Sequence, residues 1–341
     1  MRKKNVTLGL QGGGSHGAFT WGVLDRLLED ERIGIDGISG ASAGAMNAVL
    51  LAHGFTCGGR DGARQALKDF WESVATGNVF DAADEIAPTP AGNGVAGNND
   101  AAMKAFLFMA RFISPSQFNP YNINPLRDIL LRQVDFERLR TDCKIALFIA
   151  ATKVSTGTLR IFRNHEMRVE TLLASACLPA LHHSITIEDE AYWDGGLTAN
   201  PPILPLIHEC TANDLILILL HPTPNPKIPS SAGEITQRLT EISFSSPFST
   251  ELRGLALEKR EAERGLFSLG RLDRRLRKLS LHRIDSQDFM STLSTLSKAN
   301  TDAAFIAALR NEGRARADLW LRENFQHLGV RSSCKIDELL H

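Results

Sequence analysis

Two glycine-rich turns sit near the start of this chain, each caught between a short apolar run and a helix-patterned segment. Residues 5–10 are apolar and end at Gly12-Gly13-Gly14-Ser15-His16-Gly17. Residues 15–31 then carry Trp21, Leu24, Leu27 and Leu28 on one helical face. The pattern repeats at once: residues 33–39 read as a strand, Gly40-Ala41-Ser42-Ala43-Gly44 as a turn, and residues 45–52 as the beginning of a helix. Strand–turn–helix units in immediate succession predict parallel strands joined by helical crossovers. The expected fold class is therefore α/β, three layers (α/β/α) around a central, mostly parallel sheet, with C-terminal helices after it.

The rest of the chain extends this reading. Residues 64–74 are helix-patterned, whereas residues 81–100 are rich in Ala, Gly, Asn and Pro and read as a mobile loop or lid. An apolar helix is expected over 102–113, with Met103, Phe106, Leu107, Met109 and Phe112. The continuous apolar run 144–152 suits a central parallel strand, and 214–220 another core strand. Residues 158–162 and 185–193 read as outer strands, the second turning at Glu188-Asp189-Glu190; between them 171–177 is a short helix stopped by Pro179. A Pro/Ser linker spans 222–231. The residues beyond it are more charged and mainly helical, with 298–323 alternating at helical spacing. No internal repeat is visible. At 341 residues the chain accommodates a catalytic domain over 1–225 and a mainly helical extension over 226–341 packing on the same domain.

Composition mostly excludes. A formal net charge of −1 points to neither nucleic-acid binding nor an acidic tail. The five cysteines are scattered, with no C-x-x-C pair, which suits reduced thiols and a cytoplasmic location. No Cys/His cluster has metal-ligand spacing, so neither metal nor cofactor is expected. The basic Met1-Arg2-Lys3-Lys4 precedes an apolar stretch too short for a signal peptide, and no run of about 18 apolar residues appears.

The chemistry lies in three blocks. Gly40-Ala41-Ser42-Ala43-Gly44 is a G-x-S-x-G turn between a strand and a helix, the setting in which a serine hydroxyl is pushed out of the backbone to attack a carbonyl. A helix N-terminus there favours developing negative charge. A serine needs a base, and Asp194 in Trp193-Asp194-Gly195-Gly196 ends a strand before two glycines that allow a sharp turn; capping that turn is the commoner role of an Asp-Gly pair. The N-terminal glycine loop precedes a helix, and its backbone N–H groups suit an anion. Losing one oxyanion donor typically costs about 3–4 kcal/mol of barrier.

Three segments, Gln11-Gly12-Gly13-Gly14-Ser15-His16-Gly17, Gly37-Ile38-Ser39-Gly40-Ala41-Ser42-Ala43-Gly44-Ala45-Met46-Asn47-Ala48 and Trp193-Asp194-Gly195-Gly196-Leu197, resemble the blocks of the patatin-like phospholipase family, bacterial members in particular. The similarity covers roughly the first 225 residues well. The resemblance implies a Ser–Asp dyad without histidine, an oxyanion hole from the glycine loop, and metal-independent hydrolysis of lipid acyl esters. Carried onto this chain, Ser42 is the nucleophile, Asp194 the base, and Gly12, Gly13 and Gly14 the oxyanion donors. One position departs: the family usually has Arg or Lys before the last glycine of its first block, where this chain has His16. Histidine is only partly charged near neutrality, so His16 is carried as possible support rather than as an oxyanion donor.

Three other readings compete, one of them a non-enzymatic scaffold or membrane-binding protein, against which the three intact blocks argue. Gly12-x-Gly14-x-x-Gly17 also fits a dinucleotide fingerprint, with Asp36 as the ribose-binding acid. An α/β-hydrolase triad would take Ser42, Asp194 and then His208 or His221, with His182-His183 a conspicuous pair nearby. The expected partner is a lipid or acyl-ester substrate. Peripheral membrane contact is a further expectation, through the apolar helix 102–113 or the basic stretch 271–283 with Arg274, Arg275, Arg277 and Lys278.

Overall fold

The computed structural model describes residues 3–76, 114–221, 228–264 and 270–336. The expected lid 81–100 and apolar helix 102–113 lie outside the described residues. Among the described residues eight strands form one sheet: β1 (Lys4–Leu10), β2 (Ile33–Gly40), β3 (Ala146–Lys153), β4 (Leu159–Phe162), β5 (Ile185–Ile187), β6 (Glu190–Asp194), β7 (Asp214–Ile218) and β8 (Ser280–Ile284), in the order β5-β6-β3-β2-β1-β7-β8 with β4 paired to β3 off this path. From β3 through β2, β1 and β7 to β8 every pairing is parallel. β4 and β6 run antiparallel to β3, and β5 antiparallel to β6. The apolar run of β3 is thus central, but parallel on the β2 side only. Glu188 and Asp189 make the turn between β5 and β6, both at positive φ.

Burial explains the continuous apolar strands. Val6, Leu8, Leu10, Ile38, Leu147, Ile149, Ile216 and Ile218 are fully buried, because helices cover both faces of the parallel region. Helix α1 (Gly17–Glu29) is buried over nearly its whole circumference rather than along the single stripe its spacing suggests. It lies between helix α2 (Ala43–Thr76) and the C-terminal helix Ala303–Asn324. The two predicted helices 45–52 and 64–74 are the two ends of α2, interrupted at Gly58 and Gly59, where φ is −147° and 62°.

The segment after 226 is not only helical: it supplies β8, which pairs with β7 at the edge of the sheet. Sequence periodicity missed this strand because Ser280–Ile284 includes a buried histidine and an arginine, His282 and Arg283. His282 Nε2 is 3.0 Å from Asp214 Oδ1, a pairing that satisfies the imidazole inside the core.

Candidate active site

β1 and β2 run side by side, so the turns after Leu10 and Gly40 emerge at the same edge of the sheet. Asp194 pairs with Ala151 of β3 just beyond the level where Gly40 pairs with Ile149. The three sequence blocks therefore meet where the strand order reverses, since β2 lies on one side of β1 and β7 on the other. Open α/β sheets present their binding crevice at such a point.

Ser42 has φ 53°, a left-handed conformation that side chains rarely enter, that costs of order 1–3 kcal/mol and that persists only where its surroundings impose it. Here they do. Its N–H donates to both the carbonyl (3.1 Å) and the hydroxyl (3.0 Å) of Ser175, and its carbonyl accepts the Met46 N–H at 3.1 Å. The Gly44 N–H closes the turn on the Ala41 carbonyl at 2.9 Å. A Cβ on Gly44 would collide with the Leu10 carbonyl, so the helix after the turn packs directly against the end of β1.

Asp194 is fully buried. Its Oδ1 accepts the Gly196 N–H at 2.7 Å, and the Thr152 hydroxyl donates to its backbone carbonyl at 2.8 Å. Burial pushes the carboxyl up to about 7, against the Gly196 hydrogen bond and the neighbouring Ser42 hydroxyl, which both pull it down. Ser42 is thus close enough to act on the carboxylate, but Oδ2 has no hydrogen bond of standard geometry among the described residues. A loose nucleophile–base contact is common before substrate binds. The nearby Cys177 thiol is pushed up to about 12 by burial and then by the charge of Asp194, which keeps it unreactive.

The glycine loop lies against the serine: a Cβ on Gly12 would stand 2.9 Å from Ser42 Cβ. The expectation that all three glycine amides serve an oxyanion needs correcting. The Gly12 N–H is already committed to Asn200 Oδ1 at 2.6 Å. The Gly13 and Gly14 N–H groups have no hydrogen-bond partner among the described residues. Gln11 braces the same loop: its Oε1 accepts the Leu220 and His221 N–H groups at 2.7 and 2.9 Å, and its Nε2 donates to the Asn200 carbonyl at 3.3 Å. Sequence reasoning passed over Asn200, Gln11 and Ser175. Gln11 and Asn200 do flank the glycine and Asp blocks, a signal that was open to reading; Ser175 carried none.

His16 is buried, and its ring is held neutral, its pKa lowered to about 3 by burial and then by the charge of Lys298. It gives the loop no cationic support. The triad alternative fares no better: no histidine hydrogen-bonds the Ser42 hydroxyl or the Asp194 carboxyl among the described residues. His208 is exposed on the helix Leu204–Glu209, and His182 Nδ1 accepts the Leu178 N–H at 3.2 Å. The dinucleotide alternative loses its acid. Asp36 is the extra residue of a bulge in β2, and its Oδ2 accepts the Thr211 N–H, the Thr211 hydroxyl and the Ala212 N–H at 2.6, 2.9 and 2.7 Å. Arg275, expected to meet lipid headgroups, instead donates to the carbonyls of Ile207, Thr211 and Ala212 and to Asn213 Oδ1, tying its helix to the loop before β7. Among the described residues no helix is long and apolar enough to cross a membrane.

Comparison with known proteins bears on the same region. No curated protein matches the chain. Among solved structures, VipD from Legionella pneumophila is similar over 94% of this chain and 67% of its own, with a TM-score of 0.42 and 14% identity. The model of the patatin-like phospholipase family matches residues 8–207, from β1 through the helix after Asp194. That match takes in the glycine loop, the serine turn and the Asp-Gly-Gly block together, and the chain belongs to the patatin-like phospholipase family.

Proposed function

We propose that this lipid acyl hydrolase cleaves fatty-acyl esters through an acyl-enzyme formed on Ser42, with Asp194 as its base and no histidine between them. The observation that carries the reading is a strained serine held at positive φ beside a carboxyl that is fully buried and carries no counter-charge. A carboxylate poised near neutrality accepts a proton far better than one at the ordinary 3.8.

Asp194 takes the proton of the Ser42 hydroxyl as the oxygen attacks the ester carbonyl. The Gly13 and Gly14 amides receive the negative charge that develops on the carbonyl oxygen. The alcohol leaves with the proton from Asp194, and the same carboxylate then activates water to release the fatty acid. Gly12 contributes indirectly, since its bond to Asn200 fixes the loop that carries the two free donors. The substrate expected is a phospholipid, lysophospholipid or related acyl ester, met at an aggregate surface.

Labelling with a fluorophosphonate tests the nucleophile. The adduct is expected on Ser42, and Ser42→Ala is expected to abolish labelling and to lower ester turnover by about 10⁴-fold or more. An adduct on another serine, or turnover intact in Ser42→Ala, refutes the assignment.

A further inference from the structure

The mechanism makes no use of Lys298. Lys298 lies in the 3₁₀ turn Thr295–Ala299, far along the chain from the glycine loop, yet the two pack together. Gly14 has φ +59°, and a Cβ there would run into the Lys298 carbonyl and lie 3.4 Å from Lys298 Cβ. The backbone of this turn therefore presses on the residue that offers one of the two free amides.

The neighbouring serine fixes the chemistry of His16. The Ser297 hydroxyl donates its proton to the Ser294 carbonyl at 2.7 Å, so across the 2.8 Å contact with His16 it acts as acceptor. Nε2 of His16 must then carry the ring proton. Nδ1 is left as a buried lone pair with no partner among the described residues. The ring is neutral and cannot itself balance an anion.

Lys298 is different. Its ammonium makes no hydrogen bond or ion pair among the described residues. Its charge is felt by both His16 and His221 and lowers the pKa of each, after the larger effect of burial. Burial lowers Lys298 itself, and Glu241 opposes that. Glu241 is otherwise engaged with Arg238 at 3.1 Å and the Thr295 hydroxyl at 3.0 Å. A half-buried ammonium without a salt-bridge partner is costly to keep unless an anion forms beside it.

We propose that Lys298 is the cationic positioning residue of the oxyanion loop: its ammonium stabilises the negative charge that gathers over the Gly13 and Gly14 amides when Ser42 attacks. This rests on the Ser42–Asp194 reading. It also gives the segment after 226 a part in the chemistry, because that segment delivers the charge.

The test uses the full chain and a neutral short-chain p-nitrophenyl ester, so that no anionic group on the substrate can seek the lysine. Lys298→Met is expected to lower kcat and the rate of fluorophosphonate labelling by about 10- to 100-fold, with KM little changed and Tm no lower than that of the parent. Lys298→Arg is expected to recover most of the loss, which a purely structural role does not predict. If methionine destabilises the chain, Lys298→Gln carries the same measurement. Wild-type kcat in the uncharged variant overturns the proposal. So does an equal loss in the methionine and arginine variants, or a change confined to KM. Ser42→Ala, assayed alongside, separates the two readings: turnover surviving there refutes the dyad, whereas turnover lost there and full in Lys298→Met refutes only the role of the lysine.

Discussion

Asp194 and Asp25 are both buried aspartates, and they meet opposite fates. Asp25, on α1, is 3% exposed and ringed by Arg64, Arg310 and Arg314. Burial alone raises its pKa, but the hydrogen bond from Arg64 at 2.7 Å and the charges of Arg314, Arg64 and Arg310 reverse that, so it ends below the ordinary range. Asp194 has no arginine or lysine against it, and burial pushes it up to about 7. The first carboxylate ties α1 to α2 and to the helix Ala303–Asn324. The second is kept costly to ionise. A carboxylate already neutralised by guanidinium groups makes a poor base; one left unpaired makes a good one and lowers stability.

Removing each carboxylate is the strongest way to break this contrast. Asp194→Asn is expected to lower kcat/KM by about 10³-fold or more, measured with a soluble ester, while the protein remains folded. Undiminished turnover in this variant refutes the assignment of the base. Asp25→Ala is expected to do the reverse, leaving kcat near wild type while lowering the unfolding free energy by about 2–3 kcal/mol. That is less than the roughly 3–5 kcal/mol of a fully buried pair, because the three arginine side chains retain 34%, 34% and 28% of their accessibility and can rehydrate. Denaturant unfolding of both variants reads the difference.

Acidity sharpens the same comparison. As the proposed base, Asp194 must be ionised to act, so kcat/KM is expected to rise with pH through an apparent pKa of about 7 and to fall away below it. Its stability effect has the opposite sign. Between the ordinary 3.8 and about 7 the folded chain keeps a proton that the unfolded chain has lost, so this residue destabilises the fold progressively as pH rises across that window. Asp194→Asn removes the penalty, and its stability relative to wild type should grow by about 4 kcal/mol from pH 4 to pH 8. The Asp25 contribution is intact through that range and is lost only as the pH falls below the ordinary carboxylate range toward its lowered pKa. A flat difference between Asp194→Asn and wild type would mean that the carboxyl is not buried as described.

The smallest effect is expected at His16. A neutral ring bound to Ser297 contributes packing and one hydrogen bond, so His16→Ala should retain measurable turnover, within about tenfold of wild type. Complete loss of activity would give that side chain a part in the chemistry.

Much of the site was legible because its motifs are local. Glycines flanking Ser42 mark a tight turn wherever they stand between strand and helix, and Asp194 was findable from the strand before it and the glycines after it. The state of each group was not legible. That the Gly12 amide is taken by Asn200, that Asp36 caps the Thr211–Ala212 turn, and that Arg275 is spent on backbone carbonyls all depend on partners far apart in sequence. β8 escaped notice for a similar reason, since His282 reads as polar until Asp214 is beside it.

The sequence by itself determined the two βα turns, and with them the parallel sheet and the candidates for the hydroxyl and the carboxyl. Backbone geometry at glycine and the burial of apolar runs act over a few residues, so they are written in the order of the letters. Only the tertiary structure decided which carboxylate is left without a counter-charge, which amides remain free, and that the turn carrying Lys298, from the far end of the chain, packs against Gly14. Those are matters of desolvation and of charge at a distance, and both exist only once remote segments have excluded the water between them.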